Sequence, residues 1–373
     1  MLPAHVYVHV PFCARRCVYC DFSIAVRRVV PVDEYVAAVA SELDLRFPAG
    51  GGVETDTLYL GGGTPSRLGG LGVSRLIDEI RRRVRLSGNA EVTIEANPED
   101  VSAEHVRAWR DAGVNRLSLG GQSFDDDLLA WMHRTHDSGT IVRAVEIARR
   151  EGLDNISLDL IFAVPQRAAG SWQHDVARAL ELEPAHISLY GLTIEPHTVL
   201  GRRRQRGELT DAGDDTYEHE FLHAHDTLGA AGFAHYEVSN FAREGARSRH
   251  NSAYWSGCRY AGLGPSAHEF DGESRRWNLA AYSEWLSAVE TGRDPIGGRE
   301  ELTAENRRDE AVYLGLRTVD GLGVSEEELA RISIWAEAGW AAIDSDRVVR
   351  LTPRGWLRLD ALAADLTLFR SRY

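Results

Sequence analysis

Residues 5–22 read HVYVHVPFCARRCVYCDF. Val6, Val8 and Val10 alternate with His5, Tyr7 and His9 at the period of two that marks a strand, and Pro11 ends it. Cys13, Cys17 and Cys20 therefore stand on the loop after the first strand, spaced C-x-x-x-C-x-x-C. Thiolates are the soft ligands that iron–sulfur clusters take, and three of them in one short loop can wrap a single [4Fe-4S] cubane. Three ligands for four irons leave one iron open, which separates a reactive centre from a structural one. The competing readings are a zinc site and a chance clustering. Zinc wants a fourth Cys or His at zinc-like spacing, and the cysteine loop itself holds none.

Outward from this loop the same rhythm continues. Apolar runs at 57–60, 91–96, 116–119, 156–162 and 186–192 read as strands, the first stopped by Gly61, Gly62 and Gly63. Segments with helical spacing lie between them at 73–84, 103–112, 141–150 and 172–182. Strand and helix alternating about every 25 to 35 residues predict an α/β fold with a parallel sheet, open or closed into a barrel. Any ligand is then expected at the carboxyl ends of the strands, where these loops meet. After Thr193 the rhythm weakens: Pro196, Gly201 and the RRRQR run at 202–206 interrupt it, and a long helix follows over 214–229. The stretch 235–270 is rich in aromatics and glycine. From Thr303 the pattern turns to helices at 305–316 and 325–340, a hairpin around 347–353 and a final helix, the order of a small winged-helix-like domain. Three units are expected: a core barrel over 1–235, a connecting region over 236–300 and a helical C-terminal domain over 301–373.

The chain has 373 residues, enough for two or three domains. Its formal net charge of -14 speaks against broad electrostatic binding to nucleic acid or anionic lipid, which want a basic face. The first residues, MLPAHVYVHVPF, have no secretion-signal pattern, and no stretch reaches the ~18 apolar residues of a membrane span. We therefore expect a cytoplasmic chain without direct membrane insertion. The four cysteines fit a metal site in a reducing compartment better than a disulfide framework. Cys258 reads as a lone buried thiol, His268 in PSAHEF as a hydrogen-bonded core histidine, and the RRRVR run at 81–85 as the solvated face of a helix.

Further motifs fall where the strands end. Gly61, Gly62, Gly63, Thr64 and Pro65 form GGGTP, and glycines there let a ligand approach backbone N–H and C=O groups closely. Glu95, in VTIEANPE, closes an apolar strand, where a carboxylate is costly without a cation; it either caps the next helix or faces a ligand. Gln122 in GGQSF, Arg134 in HRTH and Asp159 in ISLDL stand at or near later strand ends or loops.

With the cysteine loop, these motifs resemble the radical S-adenosylmethionine (SAM) superfamily, whose signature is matched by VPFCARRCVYCDF with Tyr19 before the third cysteine. The resemblance implies a partial (β/α)6 radical SAM barrel. It implies that the open iron chelates the amino and carboxylate groups of SAM, and that an electron from the cluster cleaves SAM to a radical. The order of GGGTP, IEANPE, SLGGQSF, the Arg134 segment and LDLIF further resembles the oxygen-independent coproporphyrinogen III oxidase branch and its HemW-type relatives, over nearly the whole chain. By that match Gly62, Gly63 and Thr64 receive the methionyl amino group and Glu95 contacts the cofactor. Arg134 suits its carboxylate, Gln122 and Asp159 its ribose hydroxyls, and Tyr7, Tyr19, Thr193 and Ala261 line the pocket. One departure is Ala163-Val164-Pro165 where the family usually reads GLP, which leaves the shape of that loop open.

Two features separate the branches. The true oxidases carry a fourth cysteine two places after the third, where this chain has Phe22, and a long N-terminal extension, where here twelve residues precede Cys13. HNSAYW at 250–255 resembles the HNxxYW element of HemW-type haem chaperones, radical SAM proteins that bind haem and pass it to acceptor proteins. The resemblance implies haem as cargo, with His250 as axial ligand and Tyr254 and Trp255 packed on the macrocycle. It also implies a haem-acceptor protein and an electron donor, neither identified by the sequence. The plain reading of this element is a packed surface turn. The rival functions are a radical SAM oxidase acting on the propionates of coproporphyrinogen III, and an iron–sulfur scaffold that only docks partners. No catalytic residue is assigned, and oxidase activity is not expected.

Overall fold

The computed structural model describes residues 3–48, 54–165 and 170–371. Its central strands are β1 (His5–Val10), β2 (Thr55–Gly62), β3 (Leu86–Ala96), β4 (Arg116–Gln122), β5 (Ile156–Phe162) and β6 (His186–Gly191). Each pairs in parallel with the next. The crossovers run through α1 (Val32–Arg46), α2 (Gly69–Arg81), α3 (Ala103–Asp111), α4 (Ser138–Arg150) and α5 (Ser171–Glu181), and α6 (Asp214–Ala230) follows β6. This is the expected partial (β/α)6 barrel.

Parallel strands covered on both faces usually carry apolar side chains on both. Here they alternate. Val6, Leu58, Ile94, Leu117, Leu158 and Ile187 are fully buried in the apolar core that the helices complete. The intervening residues Tyr7, Tyr59, Glu95, Ser118, Asp159 and Ser188 project to the opposite, inner face, since successive side chains of a strand point to opposite sides. The fold thus has a greasy outer layer and a polar interior.

Among the described residues this sheet holds twelve strands. At one edge β7 (Ala234–Glu237) and β8 (Asn240–Ala242) form an antiparallel pair, with β8 antiparallel to β6. At the other, β9 (Tyr260–Leu263) runs parallel to β1 and is followed by the antiparallel β10 (His268–Phe270), β11 (Ser274–Asn278) and β12 (Ile296–Glu301). Between the two edges in sequence lies α7 (Arg249–Trp255), which reaches the amino-terminal halves of β1, β2 and β3.

The C-terminal region packs α8 (Ala304–Arg317), α9 (Glu326–Glu337) and α10 (Leu359–Arg370) around a small antiparallel sheet of β13 (Leu322–Gly323), β14 (Ala341–Ile343) and β15 (Val348–Leu351), ordered β13-β15-β14. The order is winged-helix-like. The hairpin comes earlier than 347–353 because α9 stops at Glu337, with Gly339 left-handed at φ 74° just beyond. Similarly, α4 begins three residues before the apolar pattern does, because the Asp137 carboxylate accepts the Thr140 N–H at 2.7 Å. Among the described residues no helix is long and apolar enough to cross a membrane.

The departure at Ala163 has a backbone meaning. Ala163 sits at φ 54°, in the left-handed region that glycine enters freely, and its buried N–H donates to Glu220 Oε2 at 2.6 Å. The chain keeps the glycine-like turn without the glycine. Relief of left-handed strain is worth about 1–2 kcal/mol, against ~0.5–1 kcal/mol of added backbone entropy for glycine. Ala163→Gly should therefore raise unfolding stability, by ~0.5 kcal/mol in urea denaturation. A clear loss would mean that the alanine methyl packs better than the turn is strained.

Candidate functional site

Cys13 ends the two-residue strand Phe12–Cys13, which pairs in parallel with Ala25–Val26. Ala25 N–H donates to Pro11 O at 2.8 Å and Arg27 N–H to Cys13 O at 3.0 Å, so the cysteine loop is pinned at its base. It folds over the carboxyl ends of the strands. Cys13, Cys17, Tyr19 and Cys20 there line a cavity of about 550 Å³ together with Gly62, Gly63, Thr64, Glu95, Gln122, Arg134, Asp159 and Thr193. Among the described residues, no three His, Cys, Asp or Glu side chains converge as a single metal ion requires. The cysteines ring part of the cavity instead.

Two expected members lie elsewhere. Tyr7 lines a second cavity, and Ala261 lines neither. The ladder explains the latter: Ala261 is the register partner of Val6, so its side chain shares the apolar outer face and is fully buried. Conversely, Asn97, Ser118, Tyr190 and Glu195 line the first cavity unforeseen. Tyr59 holds Glu95 from behind. The parity of Tyr59 with Tyr7, and of Ser118 with Glu95, was the available signal.

Charge in this cavity is poorly compensated from within. Glu95 accepts the Tyr59 hydroxyl at 2.8 Å and the Gly62 N–H at 3.0 Å, yet burial pushes its carboxyl up to about 7. Asp159 accepts Ser118 Oγ at 3.0 Å and Ser157 Oγ at 3.2 Å, and burial raises it to about 6. Arg134 donates from Nη2 to Asn97 Oδ1 at 2.6 Å and Gly120 O at 3.0 Å, and from Nη1 to Cys17 Sγ at 3.6 Å. Its Nε is buried with no partner among the described residues. Burial also pushes the Cys13 thiol up to about 11, against the lowering effect of Thr64 Oγ1 at 3.4 Å. A soft cation must displace that proton to recruit the sulfur.

The second cavity, about 830 Å³, adjoins the first and shares Asp21, Phe22, Gly62 and Glu95 with it. Tyr254, Trp255, Tyr260, Phe270 and Trp277 wall it. His250 does not reach it. Its ring is buried, with Nδ1 2.7 Å from Thr57 Oγ1 and Nε2 2.8 Å from the Tyr254 hydroxyl, so both nitrogens are engaged. The backbone N–H groups of Arg249 and His250 each donate to Glu91 at 3.0 Å, which fixes the start of α7 against β3. His250 thus anchors a helix and orients Tyr254. Cys258 and His268, expected in the core, are both exposed: Cys258 follows Gly257 beyond the end of α7, and His268 opens onto the cavity. In the RRRVR run Arg81, Arg82 and Arg85 are exposed, while Val84 turns into the core.

Residues 7–176 match the radical SAM superfamily. A protein of Mycobacterium tuberculosis named "Heme chaperone HemW" is 38% identical over 98% of this chain and 95% of its own length. Its namesake in Bacillus subtilis is 36% identical over 87% and 85%, and that in Escherichia coli 40% identical over 71% and 70%. The chain belongs to the HemW family of radical SAM proteins. Its fold also matches the coproporphyrinogen III oxidase HemN of Escherichia coli, a radical SAM enzyme, with a TM-score of 0.83 over 97% of this chain and 89% of that one. At 23% identity that likeness speaks for the fold alone.

The superfamily implies a [4Fe-4S] cluster and SAM, and the residues fit both. Three thiols share one loop and one cavity. A side chain on Gly62 would come within 2.6 Å of the His9 ring, and one on Gly63 within 2.6 Å of Pro11 O, so backbone alone can form that wall. The same cavity holds Arg134, whose Nε alone has no partner among the described residues and whose guanidinium suits a carboxylate, and two carboxyls raised by burial, suited to a cation and to hydroxyls.

Both carboxyls have folded-state pKa values above their ordinary ones, so the folded chain holds more protons than the unfolded chain between about 4.5 and 7 for Glu95 and between about 3.8 and 6 for Asp159. Stability must then fall as pH rises through those windows. For the purified chain before reconstitution, the melting temperature should drop from pH 5 to pH 8, and Glu95→Gln with Asp159→Asn should flatten that drop. An unchanged slope would mean that the carboxyls are not strained.

Proposed function

We propose that this chain binds haem and hands it to an acceptor protein, using a [4Fe-4S] cluster held by Cys13, Cys17 and Cys20 with SAM in the adjoining cavity. The observation that carries the reading is the contact between two unlike cavities. One bears the three cysteines and Arg134; the other is larger and has Tyr254, Trp255, Tyr260, Phe270 and Trp277 on its walls beside Arg275, Glu300 and Glu310; Asp21, Phe22, Gly62 and Glu95 belong to both. A haem is a flat apolar macrocycle that such walls suit. The names of the relatives support the same cargo.

The roles of the residues follow from their chemistry. Gly62, Gly63 and Thr64 give SAM a wall of backbone, and Glu95, ionised when a cation arrives, receives its amino group. Arg134 takes the carboxylate while holding Cys17, and Asp159, Gln122 and Thr193 face the rest of the molecule. Tyr19 packs among Trp131 and Leu192 and fixes the turn between the second and third cysteines. When bound, the cluster would supply a reducing electron beside the cargo, with SAM as its acceptor. Tyr254 and Trp255 form part of the haem-facing wall, and His250 holds Tyr254 in place. Among the described residues no disulfide joins the cysteines, and we place the chain in the reducing cytoplasm, where a thiolate-held cluster persists.

An anaerobic titration of the reconstituted chain with haem, followed by absorbance, should saturate at about one haem per chain. The bound haem should then pass to an apo-haem protein. No saturable binding would sink this reading. The Cys13→Ala, Cys17→Ala, Cys20→Ala triple variant should lose the brown colour and charge-transfer absorbance of the cluster, and retention of both would sink the cluster assignment.

A further inference from the structure

We propose that His268 is the iron ligand of haem in the second cavity; this rests on the haem-binding reading above and adds the site to it. Histidine is an ordinary axial ligand of haem, provided one ring nitrogen is free and neutral. Three histidines stand at or behind this cavity, and hydrogen bonding sorts them. His9 lines it, but its Nδ1 lies 3.1 Å from the Tyr7 hydroxyl and its Nε2 donates to Ser23 O at 2.9 Å. His250 lies behind the wall with both nitrogens held by Thr57 and Tyr254. His268 lines the cavity and is exposed, and among the described residues neither of its ring nitrogens has a hydrogen-bond partner.

The ring is also well supported. His268 opens β10 and is paired across the ladder with Trp277 of β11. The two rings stack, with centroids 5.8 Å apart and 27° between their planes. A ligand carried on a paired strand against a rigid indole keeps its orientation better than one on a loop. Partial burial and the neighbouring Arg275 lower its pKa, which favours the neutral imidazole that iron takes. The cavity, about 830 Å³, falls in the range of cofactor sites. Arg275, over Phe270, also lines the cavity, but it is paired with Glu310 and lies across the ladder from Glu300, so its charge is already met by the protein. Cys258, also on the lining, has its sulfur 3.4 Å from Ser256 Oγ and sits beyond a helix end rather than on the sheet.

The test uses the full chain with its cluster reconstituted, titrated anaerobically with ferric haem and followed by the Soret band and EPR, as wild type, His268→Ala and His268→Tyr. We expect His268→Ala to keep the cluster absorbance, lose the imidazole-ligated haem spectrum and bind haem more weakly, with free imidazole restoring the spectrum. His268→Tyr should replace that spectrum with the charge-transfer band of a phenolate ligand. A wild-type spectrum and affinity in His268→Ala would overturn the assignment while leaving haem binding intact. No saturable binding by the wild type would remove the underlying reading and this one with it. Should His268→Ala fail to hold its cluster, His268→Tyr decides, and an unaltered spectrum there overturns the assignment.

Discussion

A barrel whose strands present polar side chains inward must find a partner for each of them, because a buried hydrogen bond contributes about 1 kcal/mol while an orphaned group costs about 1–3 kcal/mol. Much of this structure answers that demand. Ser157 Oγ touches His186 Nδ1 at 2.8 Å, and His186 Nε2 continues to the Tyr236 hydroxyl at 2.8 Å. Arg116 donates to Asn155 Oδ1 and to Ala246 O, each at 3.1 Å. Thr57 Oγ1 joins His5, 3.0 Å away, to His250 on α7. The segment around α7 therefore supplies partners to the amino-terminal end of the barrel. His250 is explained by that task before any ligand is considered.

Toward the carboxyl ends the supply runs out. Among the described residues Arg134 keeps an unpartnered Nε, Glu95 and Asp159 keep raised pKa values, and two glycines stand where side chains would collide with the neighbouring strand. Among the described residues the hydroxyls of Thr93 and of Thr55, which opens β2 at the amino-terminal end and is an exception to this trend, are also buried without partners, and the structure gives no account of them. The gradient still has a direction, from a satisfied end to an unsatisfied one. A charged, hydroxyl-bearing ligand meets its complement only at the second, which is where parallel barrels bind.

The strands, crossover helices and cysteine loop were legible because their signals are local: a period of two, a period of 3.6, and a three-cysteine spacing. What was not legible depends on register. Ala261 could not be assigned a face until Val6 was known to lie beside it. His250 and His268 look alike as single letters among aromatics, yet one is locked by Thr57 and Tyr254 and the other is open. Cys258 reads as buried by composition, but Gly257, at φ 67°, and Cys258 lie exposed beyond the end of α7. Ala163 kept a glycine's conformation, which no composition rule anticipates.

The match to a coproporphyrinogen III oxidase fold shows how little the barrel itself decides. A shared scaffold can hold a cluster at one end and still serve different ends, so the distinction has to lie in residues at the rim. Two stand out in this chain. Phe22, where the oxidases carry a fourth cysteine, is 66% exposed and belongs to both cavities, so an apolar ring rather than a thiol stands beside Asp21 and Glu95 at their boundary. The far wall is built from β10 and β11, which lie outside the parallel barrel strands and extend the sheet past β9. Changes there alter the second cavity without touching Glu95, Arg134 or the cysteines. A fold arranged this way can exchange one cargo for another while its cofactor end stays the same.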